Sequence, residues 1–122
     1  MRTRIIGTGS CLPEMVVTND DLSKIMDTSD EWISSRTGIR ERRLVKEETT
    51  AAMSVTAAER AMKNAGVSPQ EIDLIIVGTI TGDYVTPSTA CEVQAAIGAD
   101  KAVAFDVNAA CSGFMFALHI AD

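Results

Sequence analysis

Cys111 lies between two segments of different hydrophobic pattern, and its side chain could act as a nucleophile. Residues 102–107 read as a buried strand, and a helix-like segment follows Cys111. A cysteine attacks carbonyl groups as the thiolate, which is favoured where the unpaired N–H groups of a helix N-terminus point. Small neighbours such as Ala110 and Gly113 would leave space for a thioester carbonyl. The alternative is an inert core residue, because free cysteines are often buried.

A second candidate site lies on a short helix that Thr28 and Ser29 are expected to cap and that Gly38 ends. Thr28, Trp32 and Arg36 recur at every fourth position, which predicts that they share one side of this helix. An indole face with a guanidinium one turn away could stack a nucleobase and bind its phosphates. The alternative is that Trp32 is a core residue and that Arg36 stabilises the helix C-terminus.

The composition restricts the classes of partner. The net charge is −6 and the isoelectric point is about 4.7, which argues against nucleic acid and anionic membrane surfaces. Apolar runs are far shorter than the roughly 20 residues of a membrane span, and the N-terminus does not resemble a signal peptide. We therefore expect a cytoplasmic protein. Three scattered cysteines and a single histidine predict neither a disulfide framework nor a metal site.

The order of predicted elements is that of a layered α/β domain. An uninterrupted apolar run at residues 74–78 is typical of a strand covered on both faces, as in a parallel or mixed sheet between helix layers. A first strand is predicted at residues 4–10. Capping residues and glycines predict a helix from Thr49 or Thr50 to Gly66 and another that starts at Thr86–Pro87 and stops at Gly98.

Two further features lie in the first third of the chain. Asn19 is expected to cap a short helix, because asparagine side chains accept hydrogen bonds from the first N–H groups of a helix. Arg40, Arg42 and Arg43 form a small basic cluster in an acidic protein. This cluster either docks an acidic partner or forms a solvated strand edge.

Five motifs follow one another along the chain: IIGTGS with LP at 5–13, DTSDEWI at 27–33, RTGIRER at 36–42, FDV at 105–107 and AACSGF at 109–114. Together they resemble the N-terminal portion of the β-ketoacyl-acyl-carrier-protein synthase III family, within the thiolase-like superfamily. The resemblance implies the N-terminal half of a thiolase-like layered fold, with a mixed sheet covered by helices on both faces. It also implies that residues 1–122 are part of one domain, cut inside the helix that follows Cys111.

The resemblance implies a chemistry that suits these residues. Cys111 would take an acyl group from acyl-CoA and pass it to the carbanion formed when malonyl-acyl carrier protein loses CO₂. Trp32 would stack on the adenine of coenzyme A, Thr28 would contact that base, and Arg36 would help to hold the nucleotide portion. Coenzyme A enters as the thioester substrate, so no cofactor is expected. The complete enzyme is expected to be a homodimer.

Thr86 departs from the pattern of this family. Acetyl-primed members tend to carry a bulky aromatic residue just before the Pro87–Ser88 pair, where it limits acyl length across a dimer contact. A threonine at this position would leave more room. We therefore expect Thr86 to allow longer or branched acyl-CoA primers.

The histidine and asparagine that the family uses in condensation have no counterparts in the chain. His119 lies eight residues beyond Cys111, about 12 Å along a helix, and cannot serve as its base. We therefore expect these residues alone to be inactive in condensation and to expose apolar surface. The alternatives are a related thiolase-like condensing enzyme of secondary metabolism, a hydroxymethylglutaryl-type synthase, or a non-catalytic acyl- or CoA-binding or assembly fragment.

Overall fold

The computed structural model describes residues 3–122, which divide into two compact units. Residues 12–48 form one unit, here called the hairpin unit. Residues 3–11 and 49–122 form the other, here called the cysteine unit because it contains Cys111. Across residues 3–122, every helix is too short or too polar to cross a membrane.

The hairpin unit is built on two short antiparallel strands, β1 (Met15–Thr18) and β2 (Glu41–Leu44), with Val17 opposite Arg42. Two helices, α1 (Asn19–Ser23) and α2 (Asp30–Thr37), lie between the strands in sequence. The predicted capping role of Asn19 is wrong. Thr18 caps α1 and forms a reciprocal capping box with Asp21, whereas Asn19 is the first helical residue and is 1% exposed.

The cysteine unit contains a parallel two-stranded sheet in which Leu74 pairs with Val103 and Gly78 with Val107. Its elements, in chain order, are α3 (Thr50–Ala65), β3 (Leu74–Gly78), α4 (Thr89–Ile97), β4 (Val103–Val107) and α5 (Gly113–Ala121). One-turn 3₁₀ helices at Pro69–Glu71 and Ala110–Ser112 precede β3 and α5. The parallel and antiparallel pairings expected of a mixed sheet thus occur, within residues 3–122, as two separate pairs.

Helices cover both faces of the parallel sheet, as predicted. Asp106 of β4 accepts hydrogen bonds from the first N–H groups of α4, so its side chain faces that helix. Gly78 follows Val77, the partner of Asp106 in the ladder, and therefore points to the opposite face. Gly78 lies against Gly113 at the start of α5. The sheet therefore lies between α4 and α5, and Leu74 and Val103 at its other end stay exposed.

Residues 4–10 do not form the predicted strand. Side chains of α3 form hydrogen bonds with the backbone of residues 4–10 instead. Asn64 Oδ1 accepts from the Thr8 N–H (3.0 Å), and Arg60 donates to the Ser10 carbonyl (2.6 Å). Gly7 lies so close to α3 that a Cβ atom there would be 2.6 Å from the Ala61 carbonyl oxygen. The segment is extended because it packs on a helix, with no ladder partner among the described strands.

Apolar side chains are unevenly buried in the cysteine unit. Ala90, Val93, Ala99 and Ala102 form its buried core. By contrast, α5 exposes more than half of the surface of Phe114, Met115 and Phe116, in line with the expectation of exposed apolar surface.

Candidate active site

Cys111 lies in the 3₁₀ turn Ala110–Ser112, between the buried strand β4 and helix α5. The hydrogen bonds of this turn begin with the Ser112 N–H, which donates to the Ala109 carbonyl (3.0 Å). Cys111 therefore precedes the hydrogen-bonded N–H groups, as the helix-tip prediction requires. Its side chain is exposed, whereas Cys11 and Cys91 are half-buried. Cys111 is therefore not part of the core formed by residues 3–122, and its role as a nucleophile stays a prediction.

The backbone before Cys111 is strained. Ala110 has a φ of +46°, a left-handed conformation that residues with a Cβ atom rarely adopt. Such strain costs on the order of 1–3 kcal/mol and is often found at functional sites. Here the strained residue lies in the turn between β4 and α5, directly before the exposed Cys111.

Close approach of two glycines seats the start of α5 on the sheet. A Cβ atom on Gly78 would lie 3.1 Å from the carbonyl carbon of Gly113. Since Gly113 follows Cys111 by two residues, this contact fixes the height of the thiol above the end of β3. A side chain at Gly78 would push the turn outward.

Two carboxylates hold the loop that follows β3. Asp83 accepts hydrogen bonds from the N–H groups of Thr50 and Ala51 at the start of α3 (3.0 and 2.8 Å). The Ala51 N–H is the main cause that lowers the pKa of Asp83. Asp106 accepts from the N–H groups of Thr89 and Ala90 at the start of α4 (both 2.8 Å). Asp83 therefore attaches the loop to the start of α3, and Asp106 attaches the start of α4, which follows the loop, to β4.

Thr86 is exposed on this loop, and its bond to Pro87 is cis. The predicted helix start at Thr86–Pro87 is wrong: α4 begins at Thr89, because the Ser88 hydroxyl caps it by accepting from the Cys91 N–H. Thr86 and Cys111 follow neighbouring parallel strands, whose ends are joined by a hydrogen bond from the Thr79 N–H to the Val107 carbonyl (3.2 Å).

A cavity of about 330 Å³ lies beside the end of β4. It is lined by the loop and by residues that lead to the Cys111 turn: Thr79, Ile80, Gly82, Asp83, Tyr84, Val85, Asp106 and Asn108. Thr86 itself is not among these lining residues.

Trp32 and Arg36 form a stacked pair on the exposed side of α2. The Arg36 guanidinium carbon lies 4.5 Å from the centre of the Trp32 ring, and its Nη1 donates to the Trp32 carbonyl (3.3 Å). Trp32 is 54% exposed, which does not fit a core residue. The pair lines a shallow depression of about 260 Å³ together with Ser29, Glu31 and Ser35. Its chemistry suits a ring that carries negative groups.

Thr28 does not share the helical side of Trp32 and Arg36. The Ser29 hydroxyl accepts from the Trp32 N–H (3.1 Å) and so caps α2, which leaves Thr28 outside the helix. The four-residue spacing therefore carries no positional meaning for Thr28. It is half-buried one residue before the cap, and its contact with a bound base stays a prediction.

Asn19 has a role beside this site that the sequence did not reveal. Its side chain binds Asp30 and Ser34 of α2, the Ile39 carbonyl and Arg42 of β2. The hydrogen bonds from Asn19 and Ser34 lower the pKa of Asp30. The motif at residues 27–33, which contains its partner Asp30, could have pointed to this role. However, an asparagine before a helix is far more often a cap.

Two of the three arginines of the basic cluster form hydrogen bonds within the hairpin unit. Arg42 donates to the Val17 carbonyl (3.1 Å) and to Asn19 Oδ1 (2.6 Å), and Arg43 donates to the carbonyls of Pro13 and Glu14. These contacts favour the strand-edge interpretation of the cluster. His119 is exposed in the last turn of α5, away from the turn that carries Cys111.

Comparison with known proteins places this arrangement in context. The family described as thiolase, N-terminal domain, matches residues 33–122, a range that includes Arg36, Thr86 and Cys111. A β-ketoacyl-[acyl-carrier-protein] synthase III of Xanthomonas campestris is 61% identical over 121 residues, which are 98% of this chain and 37% of the relative. The enzyme of that name from Aquifex aeolicus is 58% identical over 122 residues, all of this chain and 40% of the relative.

Solved structures show the same fold. The crystal structure of 3-oxoacyl-[acyl-carrier-protein] synthase III from Aquifex aeolicus matches 99% of this chain and 39% of its own length, with a TM-score of 0.96 and 58% identity. The priming β-ketosynthase of the R1128 polyketide pathway matches 97% of this chain and 36% of its own, with a TM-score of 0.93 and 44% identity. The chain thus spans less than half the length of these relatives. It belongs to the thiolase family and corresponds to its N-terminal domain.

Proposed function

We propose that the complete protein is a β-ketoacyl-acyl-carrier-protein synthase III that starts fatty acid synthesis. The observation that carries this proposal is the exposed Cys111 thiol on the strained turn between β4 and α5. Relatives of this name, 58–61% identical over nearly the whole chain, support it. We further propose that the enzyme is a cytoplasmic homodimer whose substrates are acyl-CoA and malonyl-acyl carrier protein.

Cys111 supplies the nucleophile of the first half-reaction. Its thiolate attacks the carbonyl carbon of acyl-CoA, the thioester bond to coenzyme A breaks, and coenzyme A leaves as a thiolate that takes up a proton. The Cys111 N–H precedes the hydrogen-bonded turn, which supports its proposed role as a donor to the oxyanion formed during attack. In the second half-reaction, the malonyl group loses CO₂, and the resulting carbanion attacks the acyl group and releases the cysteine thiolate.

The hairpin unit supplies the surface for the coenzyme A nucleotide. The free face of the Trp32 indole stacks on the adenine, and the Arg36 guanidinium binds phosphate oxygens. Thr28, next to the cap of α2, contacts the base. The half-exposed indole and the guanidinium above it are the observations that support this assignment.

A priming synthase of secondary metabolism is the second candidate. Similarity to the R1128 priming β-ketosynthase, 44% identical with a TM-score of 0.93, favours it. Both enzymes would acylate Cys111, but they differ in the acceptor that receives the acyl group. Condensation with the malonyl-loaded carrier protein of fatty acid synthesis distinguishes the first candidate from the second.

Acylation of Cys111 tests the proposal directly. The complete protein is incubated with acyl-CoA, and its peptides are analysed by mass spectrometry. We expect an acyl thioester on the Cys111 peptide that is absent in Cys111→Ala and present in the control Cys91→Ala, whose thiol is half-buried against the Ala104 carbonyl. Absence of an adduct, or condensation by Cys111→Ala, would contradict the proposal. Absence of an adduct would instead favour a non-catalytic binding or assembly role.

A further inference from the structure

We propose that Asn19 is the positioning residue of the nucleotide surface formed by Trp32 and Arg36. Its buried amide fixes the rotation of α2 about the helix axis, so that the indole and the guanidinium face outward together. This inference rests on the proposed use of that pair for coenzyme A.

The contacts of Asn19 join three elements of the hairpin unit. Asn19 Nδ2 donates to Asp30 Oδ1 of α2 and to the Ile39 carbonyl (both 2.7 Å). Nδ2 also donates a longer hydrogen bond to the Ser34 hydroxyl oxygen (3.3 Å), and Asn19 Oδ1 accepts from Arg42 of β2 (2.6 Å). The backbone N–H of Asn19 donates to the Arg40 carbonyl (3.2 Å). One side chain thus ties α1 to α2 and to the hairpin.

The anchored side of α2 is opposite to the proposed ligand side. At 100° per residue, Asp30 and Ser34 lie about 160° around the helix from Trp32 and Arg36. The Ser34 hydroxyl also donates to Asp30 Oδ1 (2.9 Å), which closes the anchored side as one network. Since α2 has eight residues and no buried side chain of its own, this network is the main feature that sets its rotation.

The chemistry of the position accounts for an asparagine. The site requires donors toward Asp30 and the Ile39 carbonyl, and an acceptor toward Arg42. A neutral side-chain amide supplies both at one carbon centre, whereas an apolar side chain supplies neither. Because Asn19 is 1% exposed, water cannot replace these bonds when they are lost.

The test uses Asn19→Leu in the complete protein, with coenzyme A as the probe. We expect the dissociation constant for coenzyme A to rise on the order of tenfold, as for the loss of a buried polar partner. Trp32 is the only tryptophan among the residues described, and acrylamide quenching of its fluorescence reports its exposure. Subtracting the emission of a Trp32→Phe variant isolates the signal of Trp32 in the complete protein. We expect weaker quenching in the variant, because the indole is no longer held facing outward. The rate at which iodoacetamide alkylates Cys111 should stay unchanged.

Val93→Ala is the matched control, because it removes buried core in the cysteine unit without touching α2. It should lower stability while leaving coenzyme A affinity and quenching as in the wild type. If Asn19→Leu does not fold, Asp30→Ala removes the same anchor from the more exposed side of the network and should shift both readouts in the same direction.

The outcomes separate this inference from the proposed function. Wild-type affinity and quenching in folded Asn19→Leu would overturn the positioning role. If the wild-type protein does not bind coenzyme A, the proposed function fails, and quenching alone still decides whether Asn19 orients Trp32.

Discussion

The thiol of Cys111 and the Trp32–Arg36 pair are two separate pieces of chemistry, each built from very few side chains. Arg36 lies over one face of the indole, so a nucleobase has the other face available unless Arg36 moves. In the proposed complex with coenzyme A, a guanidinium held in this way would lie close to the phosphates. At the residue scale, therefore, contact with the Trp32 ring already positions the Arg36 guanidinium in the absence of a ligand.

Thr86 gives a prediction about acyl length at the same scale. We expect the wild-type complete enzyme to load longer or branched acyl-CoA thioesters, and Thr86→Phe to lose them by tenfold or more, roughly, in kcat/KM while keeping acetyl-CoA, because added bulk excludes methylene groups. A panel of acyl-CoA thioesters measures this selectivity. Gln70→Phe adds similar bulk at an exposed position outside the lining of the cavity beside the end of β4 and should not change the profile. Loading of acetyl-CoA alone by the wild type would refute the expectation.

At the scale of elements, the ends of helices determine where the reactive turn and its loop lie. In the cysteine unit, Asp83 holds the loop after β3 to the N-terminus of α3, and Asp106 holds the N-terminus of α4 to β4. On the other face of the sheet, Gly78 and Gly113 bring α5 against β3. The position of Cys111 thus depends on backbone contacts more than on its own side-chain neighbours.

Gly78→Ala tests this dependence. The new Cβ would lie 3.1 Å from the Gly113 backbone, which cannot yield without moving α5. We expect a loss of about 1–3 kcal/mol in the free energy of unfolding, measured with urea, and a changed alkylation rate at Cys111. The control is Gly113→Ala, whose Cβ would meet Gly78 Cα at 3.4 Å, an ordinary contact, and whose alanine favours the helix. Equal losses in both variants would contradict the argument.

Local signals predicted some elements and not others. The strands β3 and β4, the ends of α3 at Thr49 and Gly66, and the strand-to-helix joint at Cys111 are encoded by nearby apolar runs and caps. The role of Asn19 depends on Arg42, more than fifteen residues away, and a sequence pattern of a few residues does not contain such a partner. The start of α4 was misplaced for a different reason: Thr86 and Ser88 are both capping residues, and the structure shows that Ser88 is the one used.

At the scale of the whole molecule, carboxylates hold backbone N–H groups in both units. Backbone N–H groups of residues 46–48 lower the pKa of Glu48 in the hairpin unit to about 2, and that of Asp83 is lowered in the cysteine unit. A carboxyl group with a lowered pKa in the folded state stabilises the fold above its unfolded pKa. That stabilisation is lost as the pH falls through the folded pKa.

Stability should therefore fall as the pH drops from about 4.5 toward 2. Urea unfolding across this range measures the effect in the complete protein. Asp83→Asn should lower stability at neutral pH, where the carboxylate accepts both N–H groups, and its difference from the wild type should shrink in acid. Asp100→Asn, at an exposed position, serves as the control. A difference that is constant with pH would show that Asp83 does not act through its charge.

The positive φ of Ala110 also restricts how this sequence can evolve. Single base changes in an alanine codon give valine and threonine, whose branched Cβ makes a left-handed backbone especially costly. Glycine is reached just as easily and adopts that backbone without penalty. Glycine, the one residue smaller than alanine, is thus the substitution that this backbone tolerates best, and it would keep the space beside the Cys111 thiol open as a by-product of backbone geometry.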